Sequence, residues 1–278
     1  PPSYPCAPFN GATVSPLSPR AQTCGFHGMT LPVVLVTGGA KRIGSAICRA
    51  FARAGWHVVI HYGHSRDDAE RLAAELPSAE IHAADLATWD QGPAMVETVA
   101  HQHRDFRVLV NNASIFENDA VTGLDPATFD AAMQINAGSP ARMTQAFFTH
   151  SRARDLRCAI QILDQKLDNP NPDFFSYTMS KHALASTIPM TAMAATQPAD
   201  RVYGLCPGAI LASHDQTADE ADRSHLLNLL ARRTWPEEIA DSALFLASGA
   251  LASGELLFVD SGQHLLAHAL QSVAGGEQ

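Results

Sequence analysis

The chain alternates short apolar runs with longer stretches in which apolar residues recur at helical spacing. The first run, Leu31 to Thr37, is rich in β-branched residues, which is typical of a strand buried on both faces. Further strands are predicted at 56–62, 80–84, from 107, and at 158–163, 201–206 and 255–259. Helices are predicted at 45–54, 67–76, up to 100, at 129–150 and 177–196, and from 235. This alternation with short links predicts an α/β fold, a single-domain Rossmann fold whose doubly wound parallel sheet is flanked by helices.

The length of 278 residues suits one large domain, which we expect to span 29–270. Residues 1–28 are rich in Pro, Ser and Gly and lack the basic start and apolar core of a secretory signal. We therefore expect a disordered N-terminal extension, with Met29 as a candidate native start. Residues 271–278 are expected to be a flexible tail.

Composition excludes several classes of function. The net charge of -9 argues against a nucleic-acid or anionic-membrane partner, and no apolar run approaches the ~18 residues of a membrane span. The five cysteines are scattered, as expected for reduced thiols in a cytoplasmic protein. The thirteen histidines show no metal-binding spacing, so no metal site is expected.

A glycine-rich turn, Thr37 to Gly44, lies between the first strand and the first helix. Such a turn presents free backbone N–H groups and a helix dipole to an anion. We therefore predict a dinucleotide phosphate cradle that includes Gly38, Arg42, Ile43 and Gly44.

The end of the second strand indicates which dinucleotide binds there. An acidic residue at this point usually holds the ribose 2′-hydroxyl, but none occurs before Asp67. Donors that suit a 2′-phosphate are present instead, which favours NADPH over NADH. The candidate residues of this region are His61, Tyr62, His64, Ser65 and Arg66, together with Arg42.

Two later strand ends carry further candidates. Asp85, followed by Leu86, is placed to accept from an adenine amine, although a helix N-cap role is an alternative. The fourth strand breaks at Asn111 into Asn112, Ala113 and Ser114, small and polar residues that allow a flat ligand to approach closely. Phe116 beyond them is either a core residue or a ring that stacks on a planar substrate.

Tyr177 and Lys181 are four residues apart on a predicted helix, so they project from one face. An ammonium roughly 5 Å from the phenol favours the phenolate by about 3 kcal/mol at an effective dielectric of about 20, which makes the tyrosine a usable general acid. The fifth strand delivers Asp164 to the same edge. Asn136 lies in an apolar helix, where it either bonds internally or holds a water that links Lys181 to solvent. Residues 211–231 are predicted to form a polar lid.

These motifs in this order resemble the short-chain dehydrogenase/reductase family over about residues 31–265. The resemblance rests on the Thr-Gly-x-x-x-x-x-Gly turn, Asp85-Leu86, Asn111-Asn112-Ala113, Tyr177-x-x-x-Lys181 and Pro207-Gly208. It implies that Tyr177 is the acid, that Lys181 holds the nicotinamide ribose, and that Asn136 and Lys181 relay protons. It also implies that Pro207, Gly208 and Ile210 contact the cofactor and that the protein is a homotetramer.

Two departures from the general family pattern narrow the function. Arg42 replaces the middle glycine of the turn, and Asp164 replaces a serine. A carboxylate repels the alkoxide formed from a ketone but favours a substrate that gains positive charge, such as a protonated C=N.

Both departures resemble the pteridine and dihydromonapterin reductases, in which an Asp and Tyr pair is the catalytic acid. This likeness implies that Phe116 stacks on the pterin, that Ser114 lies beside it, and that Arg42 bridges it to the cofactor phosphates. His64 stands where those enzymes tend to carry arginine. The expected activity is NADPH-dependent reduction of a dihydropterin or dihydrofolate; the alternative is a carbonyl reductase acting on a ketoacyl thioester, a sugar or a steroid.

Overall fold

The computed structural model describes residues 31–195, 197–210 and 224–266. The predicted N-terminal extension, the tail and residues 211–223 of the predicted lid lie outside these ranges. Among the described residues, no helix is both long and apolar enough to span a bilayer.

Seven parallel strands form one sheet in the order β3-β2-β1-β4-β5-β6-β7. The strands are β1 Val33–Val36, β2 His57–Tyr62, β3 Ala79–Ala83, β4 Phe106–Asn111, β5 Arg157–Ile162, β6 Asp200–Pro207 and β7 Leu256–Val259. The strand order reverses between β1 and β4, which in such sheets opens a crevice for ligands at the carboxyl ends. The predicted fold class is confirmed.

Helices cover both faces of the sheet. They are α1 Arg42–Arg53, α2 Arg66–Glu75, α3 Gln91–Gln102, α4 Pro126–Ala132, α5 Ser139–His150, α6 Phe175–Met193 and α7 Pro236–Leu246. The apolar sides of α1, α2 and α7 pack on one face of the sheet, and those of α3, α5 and α6 pack on the other. The central strands are buried on both sides, which explains why they read as continuous apolar runs.

Two predicted helices differ from the structure in ways that affect the candidate site. The first begins at Arg42 rather than Ser45, so that Gly44 belongs to the first helical turn. The predicted helix 129–150 is divided by a π-helical segment, Met133–Gly138, which contains Asn136. Segments of this type place an extra residue in the helix and occur frequently at functional sites. Periodicity does not reveal a single inserted residue.

Candidate active site

The glycine turn after β1 forms a tight cradle at the start of α1. Gly38 has a φ of +59°, in the left-handed region that glycine adopts easily. A Cβ at Gly44 would overlap the carbonyl oxygen of Gly38. Among the described residues no side chain caps the start of α1 at Lys41, so the first N–H groups of the helix face outward. An uncapped helix N-terminus behind a glycine turn suits a phosphate.

Arg42 adopts an unusual backbone conformation in this turn. Its φ of +52° lies in the left-handed region, where a non-glycine residue is strained by roughly 1–2 kcal/mol. The residue is exposed. Strain of this kind is often retained at functional sites, so the position supports a ligand role for the arginine.

His61 supports the turn from behind. The backbone N–H of Gly38 donates to its Nδ1 at 3.0 Å, and its Nε2 lies 3.0 Å from the carbonyl oxygen of Ala84. The side chain is buried, and burial lowers its pKa. Both ring nitrogens are therefore engaged within the protein, and a contact of His61 with the cofactor stays a prediction.

The other candidates for the 2′-phosphate surround the end of β2. Tyr62 is buried, His64 is exposed, and Ser65 immediately precedes α2. The Nε atom of Arg66 donates to Glu70 at 2.8 Å, which directs this arginine along the helix.

Lys41 is a candidate that the sequence reasoning missed. Its Nζ lies 2.6 Å from a carboxylate oxygen of Asp68 in the first turn of α2. The ammonium is thus held between the glycine turn and the end of β2, where a 2′-phosphate would lie. A lysine within a glycine-rich loop gives no sequence signal beyond its charge.

The residues at the end of β4 are hydrogen-bonded to the glycine turn. Thr37 Oγ1 accepts from the backbone N–H groups of Asn112 and Ala113, both at 2.9 Å. The Asn112 side chain donates to the carbonyl oxygen of Thr37 at 2.8 Å. These contacts bring Asn112 and Ala113 beside Gly38, and Asn112 beside Gly44.

Asp85 and Leu86 follow β3 at the same edge of the sheet. The Asp85 carboxylate accepts from the Ala87 N–H at 3.0 Å and from the Thr88 hydroxyl at 3.2 Å. It therefore closes a turn, while Asp90 precedes α3, so the alternative of a helix N-cap is wrong. Leu86 is buried. An adenine contact for Asp85 stays a prediction.

Asp164, Tyr177 and Lys181 meet at the carboxyl end of β5. The Tyr177 hydroxyl donates to Asp164 Oδ2 at 2.7 Å, and the Lys166 N–H donates to Asp164 Oδ1 at 2.8 Å. The Lys181 ammonium donates to the carbonyl oxygen of Ile162 at 2.8 Å and lies 5.5 Å from the centre of the Tyr177 ring. Tyr177 and Lys181 are both buried, and Asp164 is half-buried.

The pKa of Tyr177 differs from the expectation drawn from the sequence. Burial, followed by the charge and hydrogen bond of Asp164, raises the pKa of Tyr177 well above its ordinary value. The expectation that Lys181 favours the phenolate is wrong for this structure, because burial and the Asp164 carboxylate both oppose ionisation of the phenol. Burial also raises the pKa of Asp164 and lowers that of Lys181 to about 8. The phenol thus holds its proton, as a general acid must before it reacts.

The side chain of Asn136 fixes the backbone after β4. Its Oδ1 accepts from the Ile115 N–H at 2.9 Å and from the Ser114 hydroxyl at 3.1 Å. Its Nδ2 donates to the carbonyl oxygen of Ile115 at 3.0 Å and to Ser180 Oγ at 3.1 Å. Of the two sequence alternatives, internal bonding is what the side chain shows. A water that links Lys181 to solvent would therefore have to bind an atom of Asn136 outside its side-chain amide.

Aromatic rings form one wall beside the hydroxyl of Tyr177. Phe116 packs edge-on against Tyr177, with ring centroids 4.6 Å apart. Phe174 stacks on Phe116 at 4.0 Å and has a left-handed φ of +56°. Lys166 Nζ lies 5.5 Å from the centre of the Phe174 ring. Sequence reasoning found Phe116 and missed Phe174 and Lys166.

Asp119 holds the start of α6 from a distant loop. Its carboxylate accepts from the backbone N–H of Ser176 at 2.9 Å and from the Ser176 hydroxyl at 2.5 Å. Ser176 precedes Tyr177, so this clamp helps to position the phenol. The two residues are 57 positions apart, and no local pattern links them.

The segment after β6 packs against the end of the sheet. A Cβ at Gly208 would lie 2.7 Å from Oε1 of Gln263, which also accepts from the Ala209 N–H at 2.8 Å. Pro207 and Ile210 are buried at this edge. Gln263 is a further residue that sequence reasoning missed.

The lid is predicted to be polar, but its described part, residues 224–231, is not. It exposes several leucine side chains: Leu226, Leu227, Leu229 and Leu230. Helix α7 begins at Pro236, one residue after the predicted start, with acidic residues in its first turn.

The comparisons with known proteins agree with this geometry. The model of a family described as enoyl-(acyl carrier protein) reductase matches residues 38–264. The crystal structure of FolM, alternative dihydrofolate reductase 1 from Brucella suis in complex with NADP, is 32% identical, with a TM-score of 0.79. That match covers 84% of this chain and 95% of the FolM chain.

Two curated relatives are similar over comparable lengths. Pteridine reductase 1 of Leishmania tarentolae is 28% identical over 85% of this chain and 97% of the relative. The 3-oxoacyl-[acyl-carrier-protein] reductase FabG of Staphylococcus aureus is 28% identical over 83% of this chain and 97% of the relative. The chain therefore belongs to the short-chain dehydrogenase/reductase family of oxidoreductases.

Proposed function

We propose that this protein is an NADPH-dependent reductase that acts on the C=N bond of a dihydropterin ring, in a dihydromonapterin, dihydrobiopterin or dihydrofolate. The observation that carries the proposal is the hydrogen bond of 2.7 Å between Tyr177 and Asp164. The Asp164 carboxyl lies beside the Tyr177 phenol, at a position where the wider family usually has serine.

The cofactor is proposed from the cradle and from the relatives. The uncapped start of α1, the close approach of Gly44 to Gly38, and Lys41 beside α2 suit a dinucleotide with a 2′-phosphate. The FolM relative is a complex with NADP. NADPH bound along this edge would supply the hydride to the ring carbon. Lys181 would hold the nicotinamide ribose.

The protonation step favours an imine over a ketone. Reduction of a C=N bond needs one hydride at carbon and one proton at nitrogen. Tyr177 would donate that proton, and the Asp164 carboxylate, 2.7 Å from the phenol oxygen, would stabilise the positive charge that develops on the ring. A ketone would instead place a negative oxygen near the same carboxylate. Lys181 would then return a proton to Tyr177.

The aromatic wall suits a flat heterocycle. Phe174 already covers one face of Phe116, so a pterin would stack on the opposite face. Ser114 would lie at its edge, and Arg42 would connect it to the cofactor phosphates. The homotetramer, the cytoplasmic location and the single domain over 29–270 stay predictions.

The test is NADPH oxidation with a panel of substrates. Wild-type protein and Tyr177→Phe would be given dihydromonapterin, dihydrobiopterin, dihydrofolate, a 3-oxoacyl thioester and simple ketones. The proposal expects turnover on at least one pterin, lowered by roughly 10²–10⁴-fold in the variant. Turnover on carbonyls alone would overturn the pterin assignment and favour a carbonyl reductase like the FabG relative.

A further inference from the structure

A second cluster of ionisable side chains lies at the opposite end of the sheet. His57 is the first residue of β2, Glu80 is the second residue of β3, and His103 directly follows α3. Because these are the amino ends of parallel strands, the cluster is remote from the glycine turn and Tyr177. The side chains of His57, Glu80 and His103 are 17%, 33% and 21% exposed, so they are sheltered but open to small ions.

The separations of the ligand atoms fit one metal ion. His103 Nε2 lies 2.9 Å from Glu80 Oε1, and His57 Nε2 lies 3.8 Å from Glu80 Oε2. One atom from each of the three residues lies within 4.8 Å of the others. A tetrahedral zinc ion with bonds of about 2.0–2.1 Å places neighbouring ligand atoms roughly 3.4 Å apart, between the two measured distances.

The orientation of His57 points to a cation. Its Nδ1 lies 2.8 Å from Ser78 Oγ, whereas its buried Nε2 has no hydrogen-bond partner among the described residues. When Nδ1 carries the proton and donates to Ser78, the lone pair of Nε2 faces the Glu80 carboxylate. A cation between these two electron-rich groups would stabilise this arrangement. A metal-bound histidine shows this arrangement, with its other ring nitrogen donating to a neighbouring oxygen.

His82 supports the carboxylate without joining the ligand group. Its Nε2 lies 3.2 Å from Glu80 Oε1, the same oxygen that faces His103. This contact restrains the orientation of the carboxylate toward the other two imidazoles. His82 is therefore a positioning residue.

We propose that His57, Glu80 and His103 bind a divalent first-row transition ion, with Zn²⁺ the best match. Two imidazoles and one carboxylate are a donor set that zinc accepts, with water at the fourth position. The ion would link the edge strand β3 to β2 and to the end of α3. This proposal goes beyond the proposed reductase function, since no atom of the cluster belongs to the candidate active site.

A second group provides a matched control. Glu97, His101 and His150 also offer ligand atoms within 4.8 Å of one another. However, His150 Nδ1 is 4.0 Å from Glu97 Oε1, and the side chains are 33% and 48% exposed. Substitution of His101 removes an imidazole from the surface without touching the proposed site.

The experiment is titration of the whole, tag-free and chelator-treated protein with ZnCl₂ by calorimetry, beside Co²⁺ titration followed by visible absorption. We expect one ion bound per chain with an intense tetrahedral Co²⁺ spectrum. At a free zinc concentration of about 100 times Kd, the Tm should rise by roughly 5–10 °C.

The variants locate the ion. Glu80→Gln and His103→Gln should lower the affinity by more than about 100-fold, and His82→Ala by about 10–100-fold. His101→Gln should leave it unchanged. The proposal is overturned if the wild type binds no zinc, if the Co²⁺ spectrum is not tetrahedral, or if only His101→Gln abolishes binding. If a variant does not fold, a wild-type Co²⁺ spectrum that is not tetrahedral still overturns the proposal.

Discussion

Replacing Asp164 with serine should reverse the substrate preference. The Tyr177 hydroxyl lies 2.7 Å from the carboxylate and would lie at a similar distance from the substrate. A charge that forms on the substrate is then two hydrogen-bond lengths, or roughly 5 Å, from Asp164. At an effective dielectric of about 20 this charge pair is worth about 3 kcal/mol, or roughly 10²-fold in rate.

The sign of this effect depends on the substrate. A protonated imine loses an attraction in Asp164→Ser, so kcat/KM for a dihydropterin should fall by roughly 10²-fold. A ketone is relieved of a repulsion, so its kcat/KM should rise by up to the same factor. The ratio of the two should therefore fall by as much as roughly 10⁴-fold.

The assay is steady-state NADPH oxidation with both substrates, with Asp168→Ser as the control. Asp168 is an exposed carboxylate one turn further along the chain, and its loss should leave both values unchanged. Equal losses for pterin and ketone in Asp164→Ser would refute the charge argument. They would show that Asp164 acts only by holding Tyr177 in place.

Three further predictions concern stability and binding. Arg42→Gly should keep the free energy of unfolding within about 1 kcal/mol, because relief of the left-handed strain offsets the flexibility of glycine, while KM for the pterin rises. Lys181→Met should raise the free energy of unfolding, measured in urea at pH 7, by about 3 kcal/mol. Burial lowers the Lys181 pKa from 10.5 to about 8, so the native state binds the proton less tightly than the unfolded chain does. The gain should shrink as the pH rises from 8 to 10.5, whereas it would be independent of pH if the shift were absent. The buried Arg157 guanidinium donates to the two carboxylate oxygens of Asp200 at 2.6 and 2.7 Å. Asp200→Asn leaves this charge without its partner and should lower the free energy of unfolding by about 3–5 kcal/mol. The NADPH affinity of the folded fraction should not change.

The sequence predicts those parts of the fold and site that depend on local patterns. Buried strands read as apolar runs because both of their faces are covered, so β1 and β4 are found readily. Tyr177 and Lys181 are found because a spacing of four places them on one helix face. Asp164 is found because a strand end delivers it to the crevice.

The remainder depends on contacts between distant segments. His61 looks like a surface ligand in sequence, and only its place behind Gly38 shows that both ring nitrogens are engaged. The Asp119 clamp on Ser176 joins residues that share no element. Likewise, Lys181 alone predicts a lowered phenol pKa, and the opposite result follows from the burial of Tyr177 and from the Asp164 carboxylate that faces it.

The most direct test of the central claim is transfer of deuterium from NADPH deuterated at the reactive position of the nicotinamide. The product of a single turnover with a dihydropterin would be analysed by mass spectrometry and NMR. The account predicts that one deuterium appears on the ring carbon of the reduced C=N bond, with one NADPH consumed, and that Tyr177→Phe slows this transfer. Consumption of NADPH without deuterium in the pterin, or transfer only to a carbonyl carbon of a ketone, would contradict it.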